Sequence, residues 1–355
     1  MSRAQIAIGD RAIGEGLPCF VIAEAGVNHN GDIGLALRLV AAAAHAGADA
    51  VKFQTFNADR LVTRHAPRAA YQSERVGEGS QHAMLKALEL SEHDHRTIQD
   101  RCAQLGVCFL STPFDENAAD MLERLGVAAF KIPSGELTNV LLIDHIARKN
   151  RTIVLSTGMS NLDEVAEAVD RIRACGAPLA LLQCTSAYPA DAASVNLRAM
   201  RTMADAFTVP VGLSDHSRGI AVPIAAAALG ASLIEKHLTL DRSMTGPDHQ
   251  ASLEPAEFSA MVDGIRDAQA ALGDGIKRPS AAELELAQVV RRSLVAARAL
   301  PVGHALTAAD IVAKRPGTGL PVGAIDAVIG RRLRREMAQD EPFSWQVLDP
   351  QKGDV

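Results

Sequence analysis

Three lysines stand inside short apolar runs that close on hydroxyl or amide side chains: Lys52 in VKFQTF, with Gln54 beside it, Lys131 in FKIPSGE and Lys236 in IEKHLTLD. Thr112 in STP, Ser134 in PSG, Ser156 in LSTG, Ser186 in CTSAYP and Ser214 in GLSDHS close or follow similar runs. Ammonium groups supply point charge and hydroxyls supply directed hydrogen bonds, a combination suited to a phosphate together with a carboxylate. A single lysine of this kind could equally neutralise an internal carboxylate. His216 and His237 end two further runs and could share one divalent cation, Mn2+ or Mg2+, acting as a Lewis acid on a carbonyl; a hydrogen-bonded imidazole pair is the other reading. Glu24 and Glu136 could each move a proton if burial raised their pKa, or serve as salt-bridge partners. Asp248, in GPDHQASLEP, stands where a loop could accept hydrogen bonds from sugar hydroxyls, unless that segment is an ordinary turn before a helix starting at Pro255.

These groups need a scaffold that aims them at one place. Short β-branched runs alternate with alanine-rich helical patterns over roughly the first 270 residues, the signature of repeated βα units. Strands are expected at 20–26, 50–56, 107–114, 129–135, 152–158, 179–186, 209–216 and 232–240. Runs such as TIVLSTG are apolar throughout, as strands covered on both faces must be. Eight such units predict a (β/α)8 TIM barrel, with a doubly wound sheet as the alternative. In a barrel the chemistry belongs at the C-terminal strand ends, where these polar residues fall. Residues 1–274 are therefore read as the barrel and 275–290 as a linker. Residues 291–355, with KRPGTGLP and EPFSWQVL, read as a small β-rich domain.

Composition narrows the function. A net charge of -6 and 3% aromatic residues argue against nucleic acid as a partner. The longest apolar stretch, 221–234, is broken by Gly230 and falls short of the roughly 20 residues of a membrane span, so no membrane is expected. The N-terminal segment lacks the continuous apolar region of a secretory signal, and the five cysteines form no CxxC pair. A cytoplasmic protein with reduced thiols is expected. The basic segments RRLRRE and KRP read as solvated faces, although Arg315, in a Gly/Pro-rich loop, could reach a neighbouring site.

Taken in order, AEAGVNHNGD (23–32), VKFQTF, STPFDE, FKIPSGE, LSTGM, CTSAYP, GLSDHS, IEKHLTLD, GPDHQASLEP and KRPGTG closely resemble the sialic acid synthase family across almost the whole chain. The resemblance implies a (β/α)8 barrel followed by an antifreeze-like (SAF) domain, assembled as a domain-swapped homodimer. It implies condensation of phosphoenolpyruvate with N-acetylmannosamine, or a related N-acylated mannosamine, to give N-acetylneuraminate and phosphate. The legionaminic acid branch, which uses 2,4-diacetamido-2,4,6-trideoxymannose, is the alternative, and a Schiff-base aldolase is the rival chemistry. By resemblance, His216 and His237 bind the metal. Lys131, Ser134, Ser156 and Ser214 bind the phosphate, and Lys52 and Thr112 the phosphoenolpyruvate carboxylate. Gln54, Tyr188 and Asp248 orient the sugar, joined by Arg315 of the other subunit, and Glu24 and Glu136 transfer protons. Ser186 departs from the asparagine found in some members, which weakens its assignment to the phosphate.

Overall fold

Near-continuous apolar runs cannot rest on one side of a sheet; they require cover on both faces, and closure into a barrel supplies it. The computed structural model describes residues 5–68, 75, 77 and 79–350 and divides into two units, Met1–Gly273 and Asp274–Val355. The first unit begins with an antiparallel hairpin, β1 (Ile6–Ile8) and β2 (Arg11–Ile13). Eight parallel strands follow: β3 (Phe20–Gly26), β4 (Ala50–Thr55), β5 (Cys108–Pro113), β6 (Ala129–Ile132), β7 (Thr152–Ser156), β8 (Leu179–Cys184), β9 (Val211–Asp215) and β10 (Leu233–His237). They close with β10 paired to β3, so the barrel is the observed architecture and the doubly wound sheet is excluded. The strand Phe20–Gly26 has the expected limits, and each of the other seven ends one to three residues before the expected one, where the backbone turns into a loop carrying the polar side chains.

A helix follows each barrel strand: α1 (Ile33–His45), α2 (Glu92–Leu105), α3 (Glu116–Leu125), α4 (Val140–Ala147), α5 (Leu162–Ala174), α6 (Arg198–Phe207), α7 (Ala221–Ala228) and α8 (Pro255–Leu272). Local signals set their ends: Asp32 caps α1, Ser91 with Asp94 and Asn161 with Glu164 form capping boxes on α2 and α5, and left-handed Gly106 and Gly126 end α2 and α3. Each turns an apolar stripe inward; α1 buries Ala36, Leu39, Val40 and Ala43 against the strands. Truncating Leu39 to alanine would cost about 2–5 kcal/mol.

Side chains alternate in and out along each strand, and the register lines up the inward ones. Phe20, Ile22, Ala50, Leu110, Val154 and Leu233 fill the lower interior, and Ile6, Ile8 and Ile13 of the hairpin pack against this layer and close the floor. One layer higher, register places Glu24 beside Lys52 and His237, Gln54 beside Thr112, and Glu235 beside Ser214. The polar upper layer thus sits directly on an apolar one.

The second unit opens with α9 (Ala281–Val290), in the segment read from sequence as a linker; Ser280 and Glu283 cap it reciprocally, and that SAAE pattern is what makes it helical. Strands β11 (Ser293–Ala296) and β12 (Ile311–Lys314) pair antiparallel over a core that includes Leu294, Leu300, Leu306, Val328 and Phe343. Asp310 is buried there, bonded to Arg298 at 2.7 Å, His304 at 2.9 Å and the Thr307 hydroxyl at 2.8 Å. Among the described residues no helix is long and apolar enough to cross a membrane.

Candidate active site

A cavity of about 530 Å³ opens at the C-terminal end of the barrel. Lys52 projects into it from β4, its Nζ 2.5 Å from Glu24 Oε2 and donating to Thr112 Oγ1 at 2.9 Å. Lys131, on β6, donates to Ser156 Oγ at 2.7 Å and to the Ile132 carbonyl at 3.1 Å. Between the two ammoniums lies Glu235 of β10, 3.8 Å from Lys52 and 3.9 Å from Lys131, accepting from Ser214 Oγ at 3.1 Å. The cavity therefore contains two separate cationic anchors, each with its own hydroxyl partner.

Burial sets the protonation of this group. It raises Glu24 to about 7, against the pull of Lys52 and with the help of the Glu235 charge. Burial also pushes Glu235 upward, but Lys131 and Lys52 outweigh it and hold that carboxyl below its usual value. Lys131 is lowered by its desolvation, whereas the carboxylates Glu235 and Glu24 overcome burial and raise Lys52. One buried carboxyl thus titrates near neutrality while its neighbour stays ionised.

Beside Lys131 the chain leaves β6 through a 3-10 turn, Ser134–Glu136. The Gly158 amide donates to Ser134 Oγ at 2.9 Å, and a Cβ on Gly158 would stand only 2.8 Å from that oxygen, so glycine is required for the approach. Glu136 is half-buried and accepts from Asn139 Nδ2 at 2.7 Å. Cys184, from β8, adds its thiol near this end, 3.9 Å from both Ser186 Oγ and His216 Nδ1. Burial raises that thiol, but hydrogen bonding to His216 and Ser134 and the Lys131 charge bring it down to about 7.

The histidines stand with ring centres 5.4 Å apart, and Tyr188 lies against His216 at 4.2 Å. His216 Nδ1 is 3.0 Å from the Thr185 carbonyl, which can only accept, so Nδ1 carries a hydrogen and Nε2 is the nitrogen left to meet a cation once the ring is neutral. Among the described residues nothing hydrogen-bonds to His237 Nδ1, although it is buried. Desolvation and the nearby His216, Lys52 and Lys236 charges hold this imidazole neutral, well below its usual value. An orphaned neutral nitrogen beside a second, carbonyl-oriented imidazole fits a divalent cation. Among the described residues no three histidine, cysteine or acidic side chains form a cage. The pair would leave most of the coordination to water and substrate. Asp248 Oδ2 lies 3.9 Å from His237 Nδ1. Its loop is pinned by Asn28, whose Nδ2 donates to the Leu238 carbonyl and to Ser252 Oγ, each at 2.9 Å, while Ser252 Oγ donates to the Asp248 carbonyl at 2.7 Å.

The cavity brings together Glu24, Lys52, Gln54, Thr112, Lys131, Ser134, Glu136, Ser156, Ser186, Tyr188, Ser214, His216, His237 and Asp248. Lys236 does not join them. It neighbours inward-facing Glu235 and His237, so its side chain points outward, where it is bonded to Asp215 Oδ2 and the Ser217 carbonyl, each at 2.5 Å. Arg315 lies in the second unit, just after β12. Glu235, Cys184, Gly158 and Asn28 are site components that sequence reasoning passed over. Alternation from His237 points to Glu235, and the NHN run after β3 contains Asn28.

Reactive side chains gathered at the C-terminal ends of the strands place this protein among the (β/α)8-barrel enzymes. The chain belongs to the NeuB family, whose model matches residues 39–277, and residues 291–348 match the SAF domain. The N,N'-diacetyllegionaminic acid synthase of Legionella pneumophila is 47% identical over 347 residues, 96% of this chain and 98% of that protein. The N-acetylneuraminate-9-phosphate synthase of Homo sapiens is 34% identical over 342 residues, 96% of this chain and 95% of that one. A crystal structure of N-acetylneuraminic acid synthetase from Leptospira borgpetersenii serovar Hardjo-bovis, in complex with citrate, superposes with a TM-score of 0.71 at 35% identity. That match covers 80% of this chain and 95% of the other.

Proposed function

We propose that the enzyme condenses phosphoenolpyruvate with 2,4-diacetamido-2,4,6-trideoxymannose and water, giving N,N'-diacetyllegionaminate and phosphate by C–O cleavage. The observation that carries this reading is the pair of separated anchors, Lys52 with Thr112 and Lys131 with Ser156, in one cavity. Phosphoenolpyruvate carries one anionic group for each. This acceptor is the alternative of the sequence reading, preferred here over its first expectation, N-acetylmannosamine. Two legionaminic acid synthases share 47% and 44% identity with this chain, against 34% for the N-acetylneuraminate-9-phosphate synthase. The cavity wall supports the same acceptor: Val27, Phe56, Met84 and Leu88 form a buried apolar cluster there, joined by Leu61 and Leu85. Methyl groups gain about 0.8 kcal/mol each from such a wall, whereas a hydroxyl left unbonded against it would lose about 1–3 kcal/mol.

In this reading Lys52 and Thr112 hold the carboxylate, and Lys131, Ser134, Ser156 and Ser214 the phosphate, with Ser186 at its edge. Gln54, Tyr188 and Asp248 orient the open-chain sugar. A divalent cation at His216 and His237, Mn2+ or Mg2+, would supply Lewis acidity toward the aldehyde oxygen. The C3 electron pair of phosphoenolpyruvate forms the new bond to the aldehyde carbon, whose oxygen takes a proton from Glu24. Water adds to C2 as Glu136 accepts one of its protons. The bond between C2 and the bridging phosphoryl oxygen then breaks, its electron pair staying on that oxygen, and the C2 hydroxyl proton leaves with the phosphate. Return of the proton from Glu136 to Glu24 through solvent resets both carboxyls, so each turnover places one proton of the water on the sugar oxygen and the other on phosphate. The implied swapped homodimer would bring Arg315 of one chain to the sugar bound by the other. The exposed Leu284, Leu286 and Val289 of α9 support an interface on the second unit.

Phosphate release from phosphoenolpyruvate, assayed against a panel of acceptor sugars, tests the reading. The trideoxy sugar should turn over with a kcat/KM at least tenfold above N-acetylmannosamine. Release with neither sugar, together with borohydride trapping of a keto acid on Lys52 or Lys131, would turn the assignment toward a Schiff-base aldolase.

A further inference from the structure

The barrel holds one more carboxylate than this reaction scheme uses. Glu235 points inward from β10, is 6% exposed and lines the cavity. Its Oε1 accepts from Ser214 Oγ at 3.1 Å and lies 3.9 Å from Lys131 Nζ. Its Oε2 lies 3.8 Å from Lys52 Nζ, and among the described residues nothing hydrogen-bonds to it. Both lysines have nearer partners, Glu24 at 2.5 Å and Thr112 at 2.9 Å for Lys52, and Ser156 at 2.7 Å for Lys131. At 3.8 and 3.9 Å Glu235 is hydrogen-bonded to neither ammonium. The two ammoniums compensate the Glu235 charge at a distance, while, among the described residues, its Oε2 stays unbonded where the residue lines the cavity.

Phosphoenolpyruvate joins its carboxylate and its phosphoryl oxygen to the same atom, C2. A molecule held by Lys52 at one end and Lys131 at the other must carry C2 across the space between them, where Glu235 stands. We infer that Glu235 is a catalytic residue that faces C2 and stabilises the positive charge developing there. The inference rests on the substrate assignment proposed above. As the C3 electron pair bonds to the aldehyde carbon, the aldehyde π pair moves onto its oxygen, which is protonated, and C2 becomes an oxocarbenium centre. A fixed anion in a water-poor interior opposes that charge without having to reorganise. Glu235 forms no bond and keeps no proton; water then adds to C2 as before.

Glu235→Gln preserves size and the hydrogen bond from Ser214 while removing the charge, and its steady-state kinetics test the inference. The expected result is a kcat about 100-fold lower or worse, the scale set by losing one preorganised electrostatic group. The KM for phosphoenolpyruvate should stay the same or fall, because a negative charge beside an anionic substrate is gone. If Glu235 merely organised the lysines, that KM would rise with kcat retained, and this outcome overturns the inference. Circular dichroism and thermal melting verify the fold; should the glutamine variant fail to fold, Glu235→Ala, which also removes the charge, carries the test, and an unchanged kcat there overturns the inference as well. Lys131→Met, assayed in parallel, separates the two levels. If it leaves the phosphoenolpyruvate KM unchanged, the anchor assignment falls and takes the Glu235 role with it. If it raises that KM while Glu235→Gln turns over normally, only the Glu235 role falls.

Discussion

His237 Nδ1 faces Asp248 Oδ2 across 3.9 Å, a separation too long for a hydrogen bond, and the imidazole is held neutral. A neutral nitrogen and a carboxylate set apart in this way suit a cation better than they suit each other. Exhaustive chelation should abolish phosphate release, and Mn2+ or Mg2+ should restore it. His237→Ala should weaken metal binding measured directly by calorimetry, with the fold intact. Full turnover after chelation would exclude the Lewis-acid role.

Glu24 offers a pH signature. Burial raises its carboxyl from 4.5 to about 7, so the protonated donor is present below that value and is lost above it. The rate of carbon–carbon bond formation should fall tenfold per pH unit on the alkaline side of about 7. Glu24→Gln should lose that limb and run about 100- to 10,000-fold slower. A wild-type profile that stays flat from pH 6 to 9 would assign the proton elsewhere.

Asp310 should contribute a pH-dependent part of the second unit's stability. Hydrogen bonds from His304, Thr307 and Arg298 outweigh desolvation and hold its carboxyl well below 3.8. A depressed carboxyl stabilises the fold above its unfolded value, and that contribution is lost as pH falls below 3.8 toward the folded value. Asp310→Asn should destabilise this unit by about 1–3 kcal/mol at neutral pH, read as a lower denaturant midpoint. The difference from wild type should shrink below pH 4; a constant difference would refute the ionic origin.

Arg315 tests the proposed exchanged dimer. Arg315→Ala should raise the KM for the sugar at least tenfold and leave that for phosphoenolpyruvate near wild type. Co-refolding Arg315→Ala with Glu136→Gln should form heterodimers with one doubly damaged and one intact site, so activity should exceed the mean of the parents. Heterodimers confirmed by mass that show only the mean would place Arg315 in its own chain's site or in none.

The fold was legible because each barrel strand is short, apolar and followed by a capped helix, all signals confined to a few neighbouring residues. Lys236 and Glu235 show where reading by motif falls short. Both lie in IEKH, and a lysine looks like the anion ligand, but inward-facing His237 fixes the parity: Glu235 turns in and Lys236 turns out to Asp215. That information was present in the sequence and lay in alternation. Asn28 was less accessible. Its partners Leu238 and Ser252 stand more than 200 residues away, and only closure of β10 on β3 brings them together. Residues 281–290 were passed over as linker because the break at GDG outweighed the capping box that follows it.

The floor of isoleucines beneath the barrel makes the reaction chamber a blind well. Ile6, Ile8 and Ile13 shut the lower end, so reactants and products share one doorway. The proposed phosphoenolpyruvate anchors, Lys52, Thr112, Lys131 and Ser156, are buried, while Gln54, Tyr188 and Glu136 are partly open. A sugar seated first would block the descent of the smaller substrate. Binding should therefore be compulsory in order, phosphoenolpyruvate before sugar, with the long keto acid departing ahead of the phosphate trapped beneath it.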